Sequence, residues 1–327
     1  MSNMALMGGS RIWVAGSRGM AGAAITRALG AKGIKTIDDP SREKLDLRCQ
    51  EDVEKWIRSK RPDVIYLAAA RVGGIVDNAE HPADFITDNL QIETNVITAA
   101  AKARVGKLVF LGSSCIYPRM APQPMREEDL MTGPLEDTNR AYAIAKLAGL
   151  ELVRAYRQQY GCDFISVLPC NLYGPGDTYN AHRSHVIPAL MLKIRAAMET
   201  DQSHTSHIKV WGTGNARREF MHVDDMADAV VHLAGTYSGA SPVNIGTGEE
   251  ISIRDLTHML CEIAGYKGAI VFDTSKPDGA PRKILDCTRL YATGWQYKIT
   301  LKQGLDAVWQ DYLTTAHQTH HPRKRTA

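Results

Sequence analysis

The stretch Gly16-Ser17-Arg18-Gly19-Met20-Ala21-Gly22 constrains the fold more than any other in this chain. It follows a short apolar run, Arg11 to Ala15, that reads as a strand buried on both faces. It precedes a helical pattern in which Ile25 and Leu29 recur among alanines. Glycines at 16, 19 and 22 therefore make the turn of a strand–turn–helix unit. Small residues there let the backbone approach a pyrophosphate, and the helix N-terminus offers amide N–H groups and the positive end of its dipole. A glycine triplet alone is also compatible with a plain tight turn. The strand before it and the helix after it are what select a dinucleotide fingerprint.

The alternation continues. Ile34 to Asp38 and Asp63 to Leu67 read as strands, the latter followed by Ala68-Ala69-Ala70, small enough for a cofactor to pass. Residues 82–104 and 139–160 read as long helices, with strands at Lys107 to Gly112 and Phe164 to Leu168 between and after them. This order predicts an α/β fold, a Rossmann-type doubly wound parallel sheet. Ligands in such sheets lie at the carboxyl ends of the strands. Leu111, Gly112, Ser113 and Ser114 after one strand are thus candidate cofactor contacts, as are Pro169, Cys170, Asn171 and Leu172 after another. Beyond 172 the order is less regular, with helices expected near 185–198, 252–264 and 301–315. We expect a nucleotide-binding domain over 8–172 with part of 213–248. A smaller, interleaved α/β substrate lobe is expected over 173–212 and 249–316, and a solvated tail over 317–327.

An acid at the end of the second strand usually takes the adenosine ribose 2′-hydroxyl of NAD and repels the 2′-phosphate of NADP. Asp38 and Asp39 lean that way, whereas Arg18 and Arg42 lean toward NADP, and locally the choice stays open. Asp46 is a candidate adenine-side contact or a solvated loop acid.

Tyr142 and Lys146 lie four apart in a helical stretch and so project from one face. A tyrosine with its ordinary pKa of about 10 is a poor acid near neutrality, and a nearby lysine cation favours the phenolate. With Ser113 to hold the oxygen that receives the proton, Ser, Tyr and Lys in this order suggest carbonyl reduction or its reverse.

Composition narrows the alternatives. The chain's 327 residues suffice for two domains, and 44% hydrophobic with 23% charged residues is ordinary for a globular protein. A net charge of +3, dispersed apart from the tail, gives no basic stripe for nucleic acid and no general attraction to an acidic membrane. No apolar run approaches the twenty or so residues of a membrane helix, and Met1 to Ser10 lacks the pattern of a secretory signal. The six cysteines show no metal-ligand spacing and read as reduced thiols of a cytoplasmic protein. No metal is expected. His317, His320 and His321 beside Arg323, Lys324 and Arg325 read as part of the tail.

Several longer segments carry a resemblance. They are Gly16 to Gly22, Ala68 to Gly74, Leu111 to Pro118, Tyr142 to Lys146, Asn171 to Pro175, Ser184 to Pro188, Arg217 to Phe220 and Ser275 to Gly279. Over nearly the whole chain they resemble the extended short-chain dehydrogenase/reductase superfamily. Within it they resemble the GDP-L-fucose synthase family, bifunctional GDP-4-keto-6-deoxy-D-mannose 3,5-epimerase–4-reductases. The resemblance implies Cys115 as the base and His185 as the acid of epimerisation, with His185 also near the cofactor. It implies NADP(H) as hydride carrier, Tyr142 as proton donor, Ser113 as carbonyl partner and Lys146 on the nicotinamide ribose. It also implies that Lys193, Trp211, Arg218 and Asp278 contact the GDP-sugar. NADP(H) is favoured because Arg18 matches the family loop and Arg42 can reach a 2′-phosphate. Departures are Lys193, where an arginine is the expected type, and Gly176 with the loop 178–183. They keep open a GDP-linked hexose or heptose 4-reductase with partial or no epimerase activity. A dehydratase is disfavoured, because the positions of its acid–base pair hold Ser114 and Cys115. A non-catalytic sensor would be expected to lose one of Ser113, Tyr142 and Lys146. The two long helices suggest a homodimer.

Overall fold

The structure is a computed structural model that describes residues 9–180, 184–200, 207–276 and 278–319. The chain start 1–8, loop residues 181–183, Pro277 and the tail from His320 lie outside the described residues.

The first half alternates strictly: β1 (Ile12–Ala15), α1 (Met20–Ala31), β2 (Thr36–Ile37), α2 (Gln50–Lys60), β3 (Val64–Leu67), α3 (Ile75–Glu80), α4 (Pro82–Lys102), β4 (Lys107–Leu111), α5 (Arg140–Tyr160) and β5 (Phe164–Pro169). There follow β6 (Asn171–Tyr173), α6 (Val186–Thr200), β7 (His207–Trp211), β8 (Arg217–Arg218), β9 (Phe220–His222), α7 (Val223–Thr236) and β10 (Val243–Ile245). The chain closes with β11 (Ile251–Ser252), α8 (Ile253–Ala264), β12 (Ala269–Asp273), β13 (Arg282–Lys283), α9 (Thr288–Tyr291) and α10 (Leu301–Thr319).

Six strands form one sheet in the order β2-β1-β3-β4-β5-β10, every pair parallel. Strands β1, β3, β4 and β5 are buried at every position, as a parallel sheet covered on both faces requires. Helices α4 and α5 lie side by side, as do α1 and α7, and α7 contacts β4 and β5. The fold is thus the doubly wound α/β class that the alternation predicts. The strand order reverses between β1 and β3, and in doubly wound sheets the ligand crevice lies at the carboxyl ends of the strands at such a reversal.

Two glycines make that crevice. Gly16 has φ +89°, and a Cβ on it would lie 2.7 Å from the Ala69 backbone. Gly22 on α1 would place a Cβ 2.1 Å from the Gly16 carbonyl oxygen. Loop, helix and the Ala68–Ala70 segment therefore pack backbone to backbone, and no side chain fits between them.

A second core gathers Tyr173, Ile187, Leu190, Met191 and Ile194 with Phe220, Leu256, Leu260, Leu305 and Trp309. The chain crosses between the two cores more often than expected. Leu285, Cys287, Leu290 and Trp295 pack into the first core although they fall within 249–316, the stretch assigned to the lobe. The expected tail also starts too early, because α10 continues to Thr319. Strand β2 covers only two of the five residues read as extended. Among the described residues no helix is long and apolar enough to cross a membrane, and no group of three or more His, Cys, Asp or Glu is placed to hold a metal.

Asn244 on β10 fastens this return. It is fully buried; its amide donates to the carbonyls of Met125 and Asp286 at 3.0 Å each and accepts from the Tyr117 hydroxyl at 2.7 Å. Removing the amide takes the partner from the Tyr117 hydroxyl and the Asp286 carbonyl, while the Met125 carbonyl keeps the Asp286 N–H at 2.8 Å. We expect Asn244→Ala to lower the unfolding free energy by about 3 kcal/mol in urea titration. A loss below about 1 kcal/mol would mean that the two loops hold their places without it.

Candidate active site

The glycine loop is held by a carboxylate. Asp39, just past β2, turns back and accepts from Gly16 N at 3.2 Å, Ser17 N at 3.0 Å, Ser17 Oγ at 3.1 Å and Trp13 Nε1 at 2.9 Å. This acid is therefore engaged inside the protein and does not face a ribose, contrary to its sequence reading. Asp38 stays exposed. Arg18 Nη2 donates to the Asp39 carbonyl at 3.4 Å, which brings its guanidinium to the end of β2, and Arg42 is exposed nearby in sequence. Asp46 is also engaged. Arg48 grips it through Nε and Nη2, the latter at 2.6 Å, and pulls its carboxyl down to about 2. Arg48 continues to Asp88, which Arg71 also reaches. An adenine contact by the Asp46 carboxylate is thus not what the structure presents.

Strand β4 ends at Leu111 and leads through Gly112 to a 3₁₀ turn over Ser114–Ile116. Gly112 has no room for a side chain, since a Cβ would come 2.6 Å from Leu168. Ser113 caps the turn by accepting from Cys115 N at 3.2 Å. Ser114 is buried under the turn and Cys115 is half-buried. Across β5, Pro169 pairs with Ile245 and Cys170 is buried, its thiol pushed well up by loss of water. Asn171 donates to the Glu219 carbonyl at 2.8 Å, with half-buried Leu172 beside it.

Helix α5 brings Tyr142 to Ser113. The Ser113 hydroxyl is near enough to act on the phenol, and Phe85 of α4 meets the Tyr142 ring edge-on with centroids 6.4 Å apart. The electrostatics differ from the sequence reading. Burial raises the Tyr142 phenol, the fields of Cys115 and Glu93 raise it further, and the Ser113 hydroxyl pulls the other way. Lys146 does not draw it down. Its ammonium is turned inward, 3.0 Å from the Leu111 carbonyl oxygen and 3.0 Å from Glu93 Oε1, with its nitrogen 6.0 Å from the Tyr142 ring centre. Glu93 was not a sequence candidate. Its only signal was a carboxylate amid the apolar positions of a helix.

Arg218 on β8 is half-buried and close enough to Cys115 and Asp278 for their charges to act on its guanidinium, although burial is what most disfavours that charge. His185 is exposed at the head of α6, where its carbonyl accepts from Ala189 N. Asp177, also missed in the sequence, feels the His185 charge, while burial raises its carboxyl. Trp211 is 58% exposed, with Lys193 Nζ 5.8 Å from its ring centre and Lys276 Nζ at 5.6 Å. Lys276 is a third residue that sequence reasoning passed over. The Asp278 carboxylate is not free for a ligand, because Thr213 takes it through N at 2.9 Å and Oγ1 at 2.7 Å. Ser113, Cys115, Tyr142, Lys146 and Arg218 thus converge at the end of β4. Trp211, Lys193 and Lys276 form a separate cationic–aromatic rim.

A model of the NAD dependent epimerase/dehydratase family matches residues 12–246. The chain is 50% identical over 311 residues to a GDP-L-fucose synthase of Sinorhizobium fredii, covering 95% of this chain and 98% of that one. Among solved structures, a GDP-L-fucose synthetase from Naegleria fowleri bound to NADP is similar with a TM-score of 0.87 at 27% identity, covering 95% of this chain and 96% of that one. A GDP-6-OMe-4-keto-L-xylo-heptose reductase from C. jejuni reaches a TM-score of 0.87 at 33% identity, covering 94% and 98%. Matched along nearly its full length, the chain belongs to the NAD dependent epimerase/dehydratase family and, within it, to the GDP-L-fucose synthases.

Proposed function

We propose that this protein converts GDP-4-keto-6-deoxy-D-mannose to GDP-L-fucose, inverting carbons 3 and 5 and then reducing carbon 4. The observation that carries this reading is the convergence of a thiol, a phenol beside a serine hydroxyl and a half-buried guanidinium at the end of β4.

The ketone at carbon 4 acidifies the hydrogens on carbons 3 and 5. Cys115 takes each proton as an enolate forms, and His185 returns a proton to the opposite face, which inverts the centre. The Arg218 guanidinium sets positive charge near the sulfur, which must be a thiolate before it can take the proton. In the reductive stage Tyr142 gives its proton to the carbon-4 oxygen, and Ser113 supports the charge that develops there. A phenol held in its protonated form by burial is suited to that donation. NADPH, when bound, supplies the hydride. The chain fits it. The Gly16–Gly22 loop leaves a side-chain-free cradle at the head of α1. Arg18 and Arg42 offer cations for a 2′-phosphate, and of the two acids beside them Asp39 is taken up by the glycine loop while Asp38 stays exposed. Lys146 retains one donor for a ribose hydroxyl beyond the two on Leu111 and Glu93. Lys193, Trp211 and Arg218 would hold the GDP portion, with Lys276 added to them and Asp278 acting through Thr213.

A GDP-linked hexose or heptose 4-reductase that epimerises one centre or none is the second reading. The 33% identity to the heptose reductase favours it, as does the departure ahead of His185. We further propose a cytoplasmic homodimer whose subunits meet through α4 and α5, a reading supported by the exposed apolar side chain of Ile144.

Incubation with GDP-4-keto-6-deoxy-D-mannose in deuterated water without nucleotide should place deuterium at carbons 3 and 5. Incorporation at neither, with NADPH still consumed when supplied, would leave the second reading. Cys115→Ser should lose exchange yet reduce pre-epimerised ketosugar, whereas Tyr142→Phe should keep exchange and lose reduction by about 10²–10⁴-fold. Equal loss of both activities in either variant contradicts the division of roles. NADPH should show a lower Michaelis constant than NADH, and Asp39→Asn should raise both without exchanging their order. A reversal in that variant would place Asp39 at the ribose after all. Light scattering at micromolar concentration should give twice the chain mass; a monomer rejects the dimer.

A further inference from the structure

Glu93 has no part in the chemistry just described, yet it sits directly beneath it. It lies on α4, 1% exposed, and meets Lys146 of α5, 2% exposed, at 3.0 Å. The neighbourhood is shaped for this carboxylate. Gly149, one turn beyond Lys146, would put a Cβ 2.4 Å from Glu93 Oε2 and 2.6 Å from Phe110 Cζ, so only glycine leaves the space. Lys146 is otherwise held by the Leu111 carbonyl oxygen at 3.0 Å and lies over the Phe110 ring at 4.8 Å. A carboxylate and an ammonium this deep are stable only as a pair, and a structural purpose alone would be served as well by apolar residues of the same volume.

We propose that Glu93 is a positioning residue of the reductive half-reaction. It keeps Lys146 charged and pinned beneath the site, and its own negative charge acts on Tyr142, so that the phenol remains a proton donor. This rests on the reductase role given above to Tyr142. Few groups enter the balance. Lys146 faces Glu93 from α5, and Glu93 and Cys115 act on Tyr142 through their charge, with Ser113 beside it. Burial acts against the ionised form of Glu93, and Lys146 is what opposes that.

The test is Glu93→Gln, an isostere without the charge. Two routes lead to one outcome. If Lys146 stays charged, Tyr142 loses an opposing anion and ionises at lower pH. If Lys146 loses its proton, the working form of the site disappears at lower pH. The falling basic limb of the reduction rate should therefore move down by about one pH unit or more. Deuterium exchange at carbons 3 and 5 without nucleotide should change less than about threefold, since another residue serves as base there. Glu93→Asp, which keeps the charge on a shorter arm, should restore the wild-type limb at least in part. A second readout needs no turnover. Glu93→Gln and Lys146→Met should each lower the melting temperature, and the double variant should recover part of the loss. An unmoved basic limb in a folded Gln variant overturns the proposal. So does equal loss of exchange and reduction, an Asp variant no better than Gln, or additive melting shifts. If Glu93→Gln does not fold, Glu93→Asp takes its place in the melting cycle with Lys146→Met, and additive shifts there overturn the proposal. Wild-type protein that fails to reduce the ketosugar at all would instead sink the underlying function, leaving the ion pair to the melting cycle.

Discussion

The close approach of three backbone segments decides where everything else in this molecule can go. Gly16, Gly22 and Ala69 meet at distances that exclude even a methyl group. That contact draws α1 onto the loop after β1 and the loop after β3 against both. The crevice at the reversal of strand order is what remains on the open side of it. Asp39 then fixes the loop by accepting hydrogen bonds from two successive amides and a hydroxyl. A nucleotide arriving at such a loop finds its groups already ordered, so little conformational freedom is left to lose on binding.

The chemistry is one layer further along the sheet. Residues from β4, α5 and β8, spread from Ser113 to Arg218 along the chain, are gathered because β4 is central and α5 covers it. The second core brings in β7 and the segment carrying Lys276 to form the outer rim. The repeated return of the chain to the first core, through β10 and again through residues 285–295, ties the rim to the floor. Buried amide and carboxylate groups on Asn244 and Glu219 accept or donate to backbone at each crossing.

Much of this is legible in sequence where the signal is local. The glycine spacing, the buried strands β1, β3, β4 and β5, the helix carrying Tyr142 and Lys146, and the placing of Ser113 to Cys115 just after a strand each depend on neighbours in the chain, and each is found where the pattern put it. What sequence misread depends on partners far away. Asp39 looks like a ribose acid until Gly16 and Ser17, more than twenty residues earlier, are seen to hold it. Asp46 answers to Arg48, and Asp278 answers to Thr213 across sixty-five positions. Spacing put Lys146 one turn from Tyr142 but could not say which way the ammonium turns. That direction is set by Glu93, a residue whose polarity looks out of place until its partner is known. Asp177 and Lys276 were missed for the same reason: one acts on His185 and the other on Trp211, and neither has a motif of its own.

The pairing of Lys146 with Glu93 has one more effect, on the landscape of charge that an incoming ligand meets. Cation and anion cancel beneath the site, which leaves Arg218 as the cation beside Cys115. Further out, Lys193 and Lys276 carry positive charge at the rim beside Trp211. A dianionic bridge is thus attracted to the entrance and not to the depths. A nucleotide-linked ligand is aligned by its own polarity, anionic end outward and neutral end inward, before any contact specific to its sugar is made.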